Sequence, residues 1–502
     1  MSNFKKTVKI PVISNFNVMQ IAKIPSPIKK IGEVLDNAGH EAFLVGGCVR
    51  DLISQKIPSD WDIATSASPE EIQKLFKDSF YENDFGTVGI KTEDDSLGVV
   101  EVTTYRTEGE YENHRHPDKV SFAKNIEDDL RRRDFTINAI AINLSSIEDL
   151  PIKFIDPYGG QLDIQKKIIR TVGSPINRFS EDALRLMRAV RFSAQLNFKI
   201  EEETLKAIQE NSKLLANISQ ERLRDELTKI IKSERPAEGI TILRKTGLLT
   251  YILPEVEKGV GVSQNRHHIY TVYEHLLLSL KYCPSKKLSV RLAALLHDVA
   301  KPQTKRGNGL ESTFYNHDFI GARVAHRALT RLRFSQKIIE KVSLLIENHM
   351  FYYEVETVTP ASVRRLLRKV KPENIHDLID LRVADRLGSN CPKAKPYKLR
   401  HLEYLIEKVS RDPISVKMLK INGEQLKAEA GVPPGPKMGI ILNILLGEVL
   451  GDLKKNQTKY LTNKAKELNK KDLVLLKKQA KEKIEVKKIE EDRVLKKKHW
   501  VK

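Results

Sequence analysis

Two aspartates one residue apart, Asp60 and Asp62, follow a Gly-Gly turn in the stretch FLVGGCVRDLISQKIPSDWD. Phe43, Leu44 and Val45 read as a short buried strand, and Gly46 and Gly47 break it before a helix begins near Val49. Strand, Gly-Gly and helix start form a shape that suits phosphate: glycine lets the backbone approach closely, and the free N–H groups of a helix start face an anion. Arg50 lies in the first turn and adds charge there, with Asp51 beside it as a helix-start acid. Alternation along a strand points Asp60 and Asp62 to one side. Paired carboxylates beside a phosphate cradle suit Mg²⁺, which takes carboxylates together with substrate phosphates. The chemistry this favours is phosphoryl or nucleotidyl transfer by a two-metal mechanism.

The elements around this stretch must hold it in place. Residues 26–39 read as a helix stopped by Gly39, and Ser68 with Pro69 starts another that runs to about Asp78. Strands are expected at 88–92 and 97–105, joined by the acidic turn Glu93-Asp94-Asp95. Glu101 stands between Val100 and Val102 as a candidate third carboxylate. The same pattern fits an exposed-face glutamate on an edge strand, and the residues alone leave both readings open. Residues 106–118 read as a mobile polar loop. Arg131, Arg132 and Arg133 precede Asp134 and the apolar run TINAIAI, which suggests a basic edge on a packed element. From Ile164 onward the chain reads as helical nearly to its end. A helix is expected over 180–191 with Ser180 as its cap. On it Asp182, Arg185, Arg188 and Arg191 recur every three residues, forming either a polar band across an apolar helix or a plain ion pair with solvated arginines.

The chain has 502 residues, enough for about three domains. Its formal charge of +20 points to an anionic partner, most simply nucleic acid. The cysteines Cys48, Cys283 and Cys391 are scattered, so no disulfide framework or Cys-x-x-Cys metal site follows and a reducing, cytoplasmic setting is expected. No apolar run is long enough to span a membrane, and the first residues lack the apolar core of a secretory signal.

A histidine-rich helical block covers 265–390. His275 sits in EHLLLSL, His297 and Asp298 in AALLHDVAKP, and Asp385 in RVADR, with His317-Asp318, His349 and His267-His268 beside them. An adjacent His-Asp pair on an apolar helix suits a divalent transition metal. Residues 391–400 read as a Pro/Lys linker and 402–463 as a last small domain. Residues 464–502 carry 15 Lys and Arg against 7 Asp and Glu, as a solvated helix or a disordered tail.

The ordered motifs LVGGCVRD…SDWDIAT, RRRDFTINA and EDALRLMRAVRF closely resemble the class II tRNA nucleotidyltransferase and bacterial poly(A) polymerase superfamily over residues 26–250, with fainter likeness to 463. The resemblance implies an α+β fold: a polymerase-beta-like head at 26–160, a helical neck at 161–250, an HD-like helical domain at 265–390, a tail domain at 402–463 and a basic extension at 464–502. It implies addition of C, C and A to tRNA 3′ ends from CTP and ATP without a nucleic-acid template. Adenosine-only addition and poly(A) addition are the alternatives. Asp60 and Asp62 match the family's Mg²⁺ pair. Gly47, Arg50 and Arg133 match its nucleotide contacts, and Asp182, Arg185, Arg188 and Arg191 match the helix that reads the incoming base. Arg106-Thr107-Glu108 and Arg115-His116-Pro117-Asp118 match a flexible segment that chains adding only CC lack in part. The histidine block resembles the HD phosphohydrolase domain, with His275, His297, Asp298 and Asp385 as matching ligands, and a metal-dependent hydrolase is the reading it supports on its own. The sequence assigns no oligomeric state.

Overall fold

The computed structural model describes residues 23–501 apart from 84–85, 95–96, 109–110, 113–115, 118–119, 148–151, 266–268, 356, 392, 412–415, 417–418, 452, 474–475 and 477–491. The lead-in before residue 23, Arg115, Asp118, the His267-His268 pair and much of the basic extension lie outside these. Two compact units emerge, Met1–Glu347 with Gly388–Asn390, and Asn348–Leu387 with Cys391–Lys502. The division runs through the 265–390 stretch.

In the first unit, helix α1 (Ser26–Asn37) leads into a mixed sheet. The sheet strands are β1 (Ala42–Val45), β2 (Asp62–Thr65), β3 (Ser79–Asn83), β4 (Thr87–Lys91), β5 (Val99–Thr104), β10 (Ala141–Asn143) and β11 (Phe154–Ile155). Their order is β11-β10-β1-β2-β5-β4-β3. Strands β2 and β5 run parallel, with Asp62 opposite Glu101, and the other neighbours pair antiparallel. Helix α2 (Gly47–Ile53) follows β1 directly. Helix α3 (Pro69–Leu75) has the expected start: the Ser68 hydroxyl accepts from the Glu71 N–H, and the Glu71 carboxylate accepts from the Ser68 N–H. It ends three residues before Asp78, leaving room for β3, a strand the sequence did not announce. One core cluster gathers Phe43, Val45, Ala64, Tyr105, Ile126, Leu130 and Ala141.

The 106–118 stretch is not a plain loop. Strand β6 (Arg106–Glu108) pairs with β9 (Val120–Phe122), and β7 (Tyr111–Glu112) with β8 (His116–Pro117). Strands of two or three residues are too short to show an alternating pattern, so the charges dominate the sequence signal.

After α4 (Ile126–Arg131) the chain makes a tight turn at Thr136–Asn138, and α5 (Gly160–Lys166) packs against it. The helix expected over 180–191 is two: α6 (Pro175–Glu181) and α7 (Leu184–Leu196). Ser180 lies inside α6. Asp182 is extended and its carboxylate accepts from the Leu184 N–H at 3.0 Å, while Ala183, not Ser180, stands at the N-cap position of α7. Leu184, Leu186, Met187, Ala189 and Val190 are buried, which holds α7 inside the unit. Helices α8 (Glu202–Asn211), α9 (Gln220–Lys232) and α10 (Pro236–Lys245) follow. The head is thus α+β and the remainder almost wholly helical, as the motifs imply.

In the second unit part of the basic extension is a half-exposed helix with contacts of its own. Residues 492–499 are helical, Leu495 is buried, Lys498 and His499 reach Glu407 at 2.8 and 2.7 Å, and Lys408 pairs with Asp492. Apolar side chains inside a basic run give such a segment a packing face that net charge alone conceals.

Gly160 sits so close to the Thr136–Asn138 turn that a β-carbon there would lie 2.1 Å from the Thr136 carbonyl oxygen. Backbone cannot yield as a side-chain tip can. Gly160→Ala is therefore expected to destabilise the first unit by about 1–3 kcal/mol, read as a lower thermal or urea midpoint of that unit. A wild-type midpoint would refute the clash.

Candidate active site

A cavity of about 640 Å³ opens where β1, β2 and β5 meet α2 and α7. It brings together Gly47, Arg50, Asp62, Glu101 and Arg133 from the head. It also takes in Asp182, Arg185, Arg188 and Arg191, more than a hundred residues downstream of Asp62. Asp60 is not among its lining residues. It lies in an exposed bend ahead of β2, where Ser59 donates to its carboxylate at 3.1 Å. The expected single-strand pairing of Asp60 with Asp62 is thus absent, because Pro58 and Ser59 turn the chain and β2 begins only at Asp62. The carboxylates on one face of the sheet are instead Asp62 and Glu101, directly opposite across the parallel β2–β5 pair. Glu101 faces the cavity as an exposed side chain, so no burial cost needs offsetting.

Gly46 adopts a φ of 77°, and a β-carbon there would meet the Arg133 guanidinium at 3.0 Å and the Asp62 carboxylate at 3.3 Å. The more constrained glycine is therefore Gly46; at Gly47 a β-carbon would find Arg50 at an ordinary 3.6 Å. Burial raises the Asp62 carboxyl above its ordinary range against the pull of Arg133, and the Asp60 charge raises it further. Asp60 is thus near enough to be felt electrostatically. The Cys48 thiol is pushed up to about 12 by burial and by Asp62, which keeps it protonated and inert.

The arginines are held by specific partners. Arg50 donates to the Asn138 side-chain oxygen and to Asp51, each at 2.9 Å. Arg132 and Arg133 both bind the buried Asp129, at 2.7 and 3.1 Å. Burial opposes ionisation of Asp129, yet the two guanidiniums hold its carboxyl below the usual range. Asp134 is similar: burial works against its charge, but Arg188 at 2.6 Å outweighs it. Arg185 donates to Glu181 and to the carbonyls of Arg178 and Arg132, the latter two at 3.1 and 3.2 Å. Arg191 pairs with the buried Glu226 at 2.8 Å.

Sequence reasoning missed two side chains here. Asn138 bridges Arg50 and the Asp134 region, and only its place inside the TINAIAI run hints at that. Arg222, on α9, donates to the Asp182 carboxylate at 2.9 Å while its other terminal nitrogen is buried without a hydrogen-bond partner. Nothing local in the sequence marks Arg222, since it looks like one more charge on an amphipathic helix.

A second group lies within the first unit. His275, on the helix Val272–Lys281, and His297 are fully buried. Their Nε2 atoms are 3.0 Å apart, and Asp298 lies 3.2 and 3.4 Å from them. His317 approaches the other Asp298 oxygen at 3.4 Å, and the buried Lys301 ammonium lies 2.6 Å from Asp298. Two imidazoles and a carboxylate form a donor set that fits a divalent transition metal, with Lys301 as a competing cation on the same carboxylate oxygen. Asp385 belongs to the second unit, on the helix Ile375–Gly388, where Arg382 binds it at 2.7 Å.

Family models for the poly A polymerase head domain, for a probable RNA and SrmB-binding site of polymerase A, and for the HD domain match residues 42–170, 197–259 and 266–390. The CCA-adding enzyme of Geobacillus thermodenitrificans is 46% identical over 45% of the chain, an alignment that spans 54% of that relative, about half its length. The CCA-adding enzyme of Limosilactobacillus reuteri is 34% identical over 90% of the chain and 99% of its own length. The crystal structure of the Bacillus stearothermophilus CCA-adding enzyme in complex with CTP superposes with a TM-score of 0.56 at 25% identity, over 89% of this chain and 98% of that one. A tRNA nucleotidyltransferase complexed with a primer tRNA and an incoming ATP analog shares the fold, with a TM-score of 0.53 at 22% identity over 77% of this chain and 100% of that one. Among the described residues no helix is long and apolar enough to cross a membrane. The full-length match to the L. reuteri enzyme shows that the chain belongs to the CCA-adding enzymes, which are tRNA nucleotidyltransferases.

Proposed function

We propose that this chain adds C, C and A to the 3′ end of tRNA, with CTP and ATP as donors and no template strand. The observation that carries the reading is the cavity in which Asp62 and Glu101 face Asp182 and a group of arginines. The relatives' names, and the CTP, ATP-analog and tRNA complexes among the neighbouring structures, support the same substrates.

Asp62 and Glu101, with Asp60 beside them, are hard oxygen donors, and the burial that raises the Asp62 carboxyl is what a bound cation would offset. That donor set fits Mg²⁺. When bound, Mg²⁺ would activate the attacking 3′ hydroxyl and neutralise the leaving pyrophosphate. Arg50 and Arg133 border the same end of the cavity and serve the triphosphate. At the other end Asp182 accepts from an exocyclic amino group, which cytosine and adenine carry and uracil lacks, while Arg185 donates to ring or carbonyl acceptors. A base that leaves these groups unpaired is rejected. Arg222 holds the Asp182 carboxylate in place, and Asp134 holds Arg188. We assign a transition metal to the His275, His297 and Asp298 group, and propose head, neck, HD-like, tail and extension regions at 26–160, 161–250, 265–390, 402–463 and 464–502.

Incubation with tRNA lacking its CCA end, Mg²⁺ and each labelled nucleotide should give C and A incorporation and little U or G. Equal use of all four would refute the reading, and long A tracts on unrelated RNA would move it to poly(A) addition. Asp62→Asn should lower kcat by at least about a hundredfold while tRNA binding, followed by gel shift, stays near wild type. Arg222→Met should release Asp182 and raise U incorporation relative to C by about tenfold, a loss of one hydrogen bond to a charged group. Unchanged nucleotide choice would make Arg222 a packing residue.

The Asp134–Arg188 pair gives a pH prediction. The Asp134 carboxyl sits below its unfolded value near 4, so its stabilisation is present at neutral pH and is lost as pH falls through the lower folded value. Arg188→Met should cost up to about 3 kcal/mol at pH 7 and less near pH 4, where the variant's Asp134, buried without that cation, takes up a proton instead. Urea unfolding at both pH values checks this. An equal loss at both would exclude the charge pair as the cause.

A further inference from the structure

Phe192 lines the cavity and is only 6% exposed. The guanidinium carbons of Arg191, Arg188 and Arg50 lie 4.2, 5.5 and 5.6 Å from the centre of its ring. Arg191 is its chain neighbour, so that contact follows in part from sequence. The other two do not: Arg50 comes from α2 in the head, and Arg188 from the previous turn of α7. The ring of Phe135, next in sequence to Asp134, meets Phe192 edge-on at 5.7 Å and 82°. Three like charges within about 6 Å of one point repel, and a ring face is negative at its centre. Asp134, Glu226 and Asp51 neutralise Arg188, Arg191 and Arg50 in turn, Asn138 links Arg50 to Asp134, and the ring lies against all three guanidiniums.

We propose that Phe192 is a positioning residue whose π face holds Arg50, Arg188 and Arg191 in one arrangement, coupling the triphosphate end of the site to its base-reading end. This rests on the assignment of Arg50 to the triphosphate and of Asp182 and Arg185 to the base. A nucleotide bound at one end then fixes the ring, and the ring fixes the arginines at the other end. Removing the ring's charge distribution without removing its volume separates this role from simple filling of space.

The test replaces Phe192 with mono-, tri- and pentafluorophenylalanine in the full chain, alongside Phe192→Leu. CTP and UTP incorporation are measured on a tRNA transcript lacking its CCA end. Fluorination withdraws the negative face stepwise while the ring keeps nearly its shape. The CTP-over-UTP ratio of kcat/KM should fall in graded fashion, to about a tenth of wild type at full fluorination, with KM for CTP rising more than kcat falls. Phe192→Leu should fall as far, and if it does not fold the fluorinated series decides alone. A fully fluorinated chain with wild-type selectivity and KM would overturn the proposal and leave Phe192 as filler. A wild-type chain that takes UTP as readily as CTP would overturn the base-reading assignment itself, and the coupling with it.

Discussion

The site depends on one ion pair, Arg188 to Asp134 at 2.6 Å, whose carboxylate is buried while the guanidinium side chain is a third exposed. Asp134 follows the head's arginine run, and Arg188 sits on a helix that packs with the neck. Neither charge is cheap to bury, and such pairs commonly add little net stability. What this one adds is geometry. With Asp134 fixed, its neighbours Arg133 and Phe135 are fixed too, one beside Asp62 and the other against Phe192. Asp62 and Glu101 and the polar side chains of α7 therefore line one cavity. A buried pair can specify an arrangement that packing alone would leave loose.

Much of this was legible in the sequence because it is local. The Gly-Gly turn between a β-prone run and a helix, the arginine run before Asp134 and the Val-Glu-Val alternation at Glu101 each sit in a few consecutive residues. The structure places all three at the cavity. What stayed hidden is nonlocal. Asp62 and Glu101 are partners through parallel strand pairing across nearly forty residues, and no periodicity reports register at that range. The split between α6 and α7 was missed because Asp182 has the type and place of an early helical acid, and only its extended backbone shows that one helix stops there. Arg222 and Asn138 act through partners far away in the chain, which residue type alone does not announce.

The histidine group shows the same limit from another side. The His297-Asp298 dipeptide, which the structure places just past the end of the apolar helix Leu288–Leu296, is a strong local sign, and both side chains are buried beside His275. The sequence did not single out Lys301, whose ammonium sits on the Asp298 carboxylate at 2.6 Å. That contact places a fixed positive charge where a metal would share a ligand. The group therefore carries a built-in charge balance, whatever ion it also takes.

The pairing of β2 with β5 has a consequence for how such a chain can vary in length. Side chains on a strand alternate faces, so one residue gained or lost within β5 ahead of Glu101 turns that carboxylate to the opposite side of the sheet. Insertions in the turn between β4 and β5 leave the pairing untouched, because the loop absorbs them. Length should therefore drift freely at residues 93–98 and be frozen from Val99 to Thr104. The parallel ladder acts as a ruler: it counts residues to the carboxylate, and it tolerates error only outside its own span.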